Sequence, residues 1–71
     1  MKSAEMNKMI RAVNAGKENP FKDRADCKRF FADLLSEKAD LEKRYPGKPV
    51  VFGLVDADED EEAELMSLLP D

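Results

Sequence analysis

The sequence predicts a mainly α domain of three helices, at about 3–15, 23–45 and 58–69, with one short extended segment at 50–55. Two observations carry this. Apolar residues recur at the three- and four-residue spacing of a helix face in three stretches. Only one stretch, "VVFGLV", has the length and β-branched content of a strand. A small α+β arrangement, with that strand paired across a dimer, is the alternative. The chain's 71 residues make one small domain over 1–71.

Ser3 is placed to cap the first helix, with Glu5 in its first turn. Met6, Met9, Ile10 and Val13 then form one apolar stripe. Asn14 and Gly16 supply the stop signal. Asn19-Pro20 marks a turn, and Phe21 beside it is expected to fold back onto the core.

The second helix is the strongest signal in the chain. Asp23 reads as its cap, and Asp26 three residues on is an acidic near-match to a capping box. Cys27, Leu34 and Leu41 recur every seven residues, flanked by Phe30, Phe31, Leu35 and Tyr45. Arg29 with Asp33, Lys38 with Glu42, and Asp40 with Arg44 are spaced to pair along its surface. "YPGKP" ends it, because proline cannot continue a helix.

Val50 to Val55 then runs extended with no second strand-like segment to match it. Its backbone groups must find a partner in another chain, or the segment must cross the helices irregularly. Gly53 weakens a strand or marks close approach by another backbone. In "VDADEDEEAE" the alternation of Asp56, Asp58 and Asp60 suggests a calcium loop. The EF type, however, requires glycine at its sixth position and glutamate at its twelfth. Counted from Asp56 those positions hold Glu61 and Ser67, so the stretch reads as a helix N-terminus. Asp58 caps it, Glu59 to Glu61 fill its first turn, and Leu65, Met66, Leu68 and Leu69 follow, with Pro70 as the stop.

Composition narrows function further. With no histidine and one cysteine the chain lacks the ligands of an ordinary zinc site, and no disulfide can form within it. Cys27 lies on an apolar stripe with no histidine to activate it and is expected to be a buried, inert thiol. The acids of residues 56–64 would do acid–base work only if their environments separated their pKa values. No cofactor and no catalysis are expected. No apolar run reaches signal-peptide or membrane-span length, which suggests a cytosolic, reducing setting.

Charge is unevenly placed. All 12 basic residues fall within residues 1–48, which carry +4, while residues 49–71 carry −8 and no base. Lys17, Lys22, Arg24, Lys28 and Arg29 cluster around Phe21 and are expected to meet the acidic third helix, of this chain or another, rather than a phosphate backbone.

The sequence therefore suggests a small protein–protein interaction module, an adaptor or inhibitor that acts by binding, with a homodimer expected and no nucleic-acid or membrane partner. The candidate surface comprises Val50, Val51, Phe52, Leu54 and Val55, which would add a strand to a partner, and the neighbouring Asp58, Glu59, Asp60, Glu61, Glu62 and Glu64. The alternative is an acidic nucleic-acid mimic that occupies the basic groove of a nucleic-acid-binding enzyme. A calcium- or carboxylate-dependent activity of residues 56–64 stands third.

Overall fold

The computed structural model describes residues 2–68. Helices α1 (Ser3–Asn14), α2 (Ala25–Arg44) and α3 (Glu59–Ser67) follow in chain order. No strand occurs among the described residues, so the fold is mainly α. The expected end of the third helix at residue 69 and its stop at Pro70 lie outside them.

The sequence placed the helix ends closely, but not the N-caps of the first two helices. Lys2 occupies the N-cap position of α1 and contributes no side-chain cap. Ser3 lies inside the helix, and its hydroxyl donates to Asp56 Oδ2 at 3.1 Å. At the other end Gly16 takes φ +69°. Its N–H bonds the Val13 carbonyl at 3.1 Å, and the Lys17 N–H bonds that of Ala12 at 2.8 Å. This pair of bonds is the Schellman closure that glycine favours, as Gly16 predicts.

Asp23 does not cap α2. It lies in the turn that the Arg24 N–H closes on the Phe21 carbonyl at 3.2 Å, so Arg24 takes the N-cap position. The Asn19 side chain holds the same turn by accepting from the Phe21 N–H at 2.8 Å.

Two contacts fix the course of α2. Arg24 at its start bonds Glu5 near the start of α1 at 2.7 Å, and Lys38 reaches the Val13 carbonyl at the end of α1 at 3.4 Å. The two helices therefore run in the same general direction, joined by a loop that returns the chain. Lys38 also brings a cation to the C-terminal pole of α1, where the helix dipole favours it. None of the three expected ion pairs along α2 forms among the described residues.

The core joins Met9, Ile10, Ala12 and Val13 of α1 to Cys27, Phe31 and Leu34 of α2, with Phe21, Phe30, Phe52 and Leu54 packed around them. Each large side chain so buried stabilises the fold by about 1.5–3 kcal/mol. Leu65 is the buried residue of α3, while its neighbour Met66 is 64% exposed. Beyond Lys38 the stripe of α2 outruns its cover, because 12 residues of α1 rise about 18 Å and 20 residues of α2 about 30 Å. Tyr45 is accordingly 56% exposed, and Leu35, off to one side of the stripe, 45%.

Candidate functional site

An extended segment without a sheet needs partners for its backbone, and α1 supplies them from side chains. Asn7 donates through Nδ2 to the Val55 carbonyl at 2.8 Å and accepts the Val55 N–H on Oδ1 at 2.7 Å. Asn14 repeats the arrangement one heptad later: Nδ2 donates to the Phe52 carbonyl at 2.9 Å and Oδ1 accepts the Phe52 N–H at 3.1 Å. Each carboxamide stands in for the peptide group of a neighbouring strand. Asn7 and Asn14 are only 3% and 7% exposed, and they are the buried polar residues of the core region.

The spacings explain why two asparagines suffice. Seven helical residues rise about 10.5 Å, and three extended residues cover about 10 Å. Asparagines one heptad apart on α1 thus stand opposite backbone groups three residues apart on the segment. In a flat strand, residues three apart present those groups to opposite edges. The turn over Val55 and Asp56 ends this alternation, so that Val55 as well as Phe52 faces α1.

The site residues named from sequence divide into three groups. Phe52 and Leu54 pack against the core, and Phe52 and Val55 spend their backbone groups on α1. Phe52 is thus a structural residue, not an open contact. Val50 and Val51 are half-buried. Among the described residues, the backbone N–H and C=O groups of Val51 and Gly53 have no partner. In an extended chain these neighbours of Phe52 face the opposite edge from it, away from α1. Gly53 is exposed, and a Cβ built on it would meet nothing within 4 Å, so the face of the segment is open there.

The acids form the third group. After the turn at Asp56, which takes φ +52° as aspartate tolerates better than most residues, Asp58 caps α3 by accepting the Glu61 N–H at 2.8 Å. Glu61 Oε2 in turn accepts from Asn7 at 3.1 Å and from Arg11 Nη2 at 3.0 Å, and Glu64 lies 3.5 Å from the same guanidinium. Arg11, not the Lys17–Arg29 cluster, is therefore the base that meets the acidic helix. Within the cluster Lys22 pairs with Glu18 and Arg24 with Glu5 and Asp26, while Lys17, Lys28 and Arg29 form no ion pair among the described residues. Glu59, Asp60 and Glu62 are exposed, with no ion pair among the described residues.

Four groups titrate away from their ordinary values. The hydrogen bond and charge of Lys22 hold the Glu18 carboxyl down. The bond that Arg24 donates to Glu5, with the charge of Asp26, keeps Arg24 more firmly protonated. Burial works against ionisation of Asp26, but the Cys27 backbone N–H and the Arg24 charge outweigh it, so Asp26 also lies low. Burial pushes the Cys27 thiol up, only partly opposed by Arg24. Cys27 is fully buried, as its place on the stripe predicts.

A groove of about 460 Å³ follows α1 beside the Lys17–Pro20 loop, with Lys8, Arg11 and Lys17 facing Glu18 and Glu64. Lys8 lies over the Phe21 ring at 5.1 Å, and Arg11 Nε is buried with no acceptor among the described residues. Mixed charge and a buried Nε leave no convergent set of donors for one ligand. No group of three candidate metal ligands converges among the described residues, and no helix of theirs is long and apolar enough to cross a membrane. Compared with protein-family models, curated proteins and solved structures, the chain has no significant match.

Proposed function

We propose that the protein is a small binding module that engages a protein partner by strand addition along the outer edge of Val50–Val55, and that it acts without catalysis. One observation carries the reading: two buried asparagines hold this segment by the backbone groups of Phe52 and Val55 and leave those of Val51 and Gly53 without a partner among the described residues. An edge fixed in this way loses little conformational entropy on pairing, which is how preorganisation raises affinity. The acids Glu59, Asp60 and Glu62 follow it and favour a partner that brings a basic side chain to its end.

The test is affinity capture with the wild type and Val51→Pro, which removes one outward N–H without touching the bonds of Phe52 or Val55. Strand addition predicts capture that persists in high salt and is lost in Val51→Pro. Capture that ignores Val51→Pro but vanishes in salt, or on changing Glu59, Asp60 and Glu62 to amides, overturns it in favour of a charge-based mimic.

A further inference from the structure

We infer that the partner strand is supplied by a second copy of this chain, paired antiparallel about a two-fold axis at Phe52; this rests on the outer edge being the binding edge.

The register follows from which groups are taken. Phe52 turns its N–H and C=O inward to Asn14, so the outward groups belong to Val51 and Gly53. A two-fold axis at Phe52 sets Val51 against Gly53 of the second copy and Gly53 against its Val51. Each pair then exchanges both of its hydrogen bonds. Gly53 is exposed and brings no side chain to obstruct the second backbone. The pairing also ends where the sequence provides for it. Pro49, which has no N–H, falls opposite Val55, whose groups are already held by Asn7.

Charge chooses the second copy over a foreign strand. In this register the Lys48 end of one copy lies toward the Asp56 end of the other, at both ends of the symmetric pair, and Asp56 also keeps its bond from Ser3. The base before the segment and the acid after it are thus self-complementary under antiparallel two-fold pairing, and like charges would meet in a parallel one. The half-buried Val50 and Leu54 face each other across the axis and gain cover.

The experiment measures solution mass by light scattering against concentration for the wild type, Val51→Pro, Lys48→Glu and the swapped pair Lys48→Glu/Asp56→Lys. Circular dichroism confirms helicity, and amide exchange is read residue by residue. The wild type is expected to be a dimer in which protection of Val51 and Gly53 rises with concentration. Val51→Pro is expected to be monomeric with helices intact. Lys48→Glu should weaken dimerisation about tenfold, since it turns two rim ion pairs into repulsions, and the swap should restore it. If the swapped protein fails to fold, Val51→Pro and the exchange pattern decide. A wild-type monomer whose Val51 and Gly53 amides exchange fast while those of Phe52 and Val55 stay slow overturns the second copy but leaves the edge reading standing. A monomer in which Val51 and Gly53 are protected overturns both. A dimer indifferent to Val51→Pro and Lys48→Glu pairs through another face and overturns the inference.

Discussion

Replacing Asn14 by alanine tests the clamp at its cleaner half, since Asn14 bonds only Phe52 whereas Asn7 also bonds Glu61. Asn14→Ala strands the Phe52 N–H and C=O against a buried helix face. An orphaned buried polar group costs about 1–3 kcal/mol, and two such groups with some water access cost about 2–3 kcal/mol together. Alanine's better helix propensity returns about 0.6 kcal/mol. The net loss is about 2 kcal/mol, a large share of the ~3–5 kcal/mol that a core of this size supplies. Urea unfolding followed by far-ultraviolet circular dichroism measures it directly. An unfolding free energy within about 0.5 kcal/mol of the wild type, the range of an ordinary surface change, would refute the claim that Asn14 holds the segment.

Other consequences follow from the same contacts. Asn7→Asp keeps the acceptor for the Val55 N–H but faces the Val55 carbonyl and Glu61 with a carboxylate. The introduced acid should therefore have a folded pKa above its unfolded value of about 3.9. Its protonated form is the stable one, so the deficit relative to the wild type should narrow as pH falls toward that value and widen as pH rises through the folded pKa; a constant deficit would contradict this. Cys27 should react with thiol reagents only at the rate of unfolding, accelerating with urea, because the thiol is buried and its pKa raised; rapid labelling in native buffer would contradict its place in the core. Gly16→Ala should cost about 1–2 kcal/mol from the left-handed backbone alone, since a Cβ there meets nothing within 4 Å.

Periodicity made the helices readable, and capping chemistry made Gly16 and Asp58 readable, because those features are local to the chain. The N-terminal caps of α1 and α2 were not. Ser3 is drawn to Asp56, 53 residues away, and Asp23 is absorbed by a turn. The ion pairs expected along α2 failed for a similar reason: Lys38 serves the end of α1 instead of Glu42. The largest omission was the asparagine pair. Asn14 reads locally as a helix stop, and Asn7 carries no local signal. A signal did exist: two amides one heptad apart lie within about 20° of one meridian of a helix, beside Met6, Ile10 and Val13, in a chain with a single unpaired extended run. Taking the unmet backbone groups of that run as a demand would have pointed to these two residues. The half-buried ion pair of Arg11 with Glu61 likewise depends on where α3 lands, which no local pattern encodes.

Residue-resolved amide hydrogen exchange in dilute solution, on the wild type and on Asn7→Ala and Asn14→Ala, tests the central claim most directly. The account predicts that Phe52 and Val55 exchange slowly while Val51 and Gly53 exchange fast, and that protection at Val55 is lost in Asn7→Ala and at Phe52 in Asn14→Ala. Equal exchange along the whole of Val50–Val55, or slow exchange at Phe52 and Val55 that survives both substitutions, would contradict it.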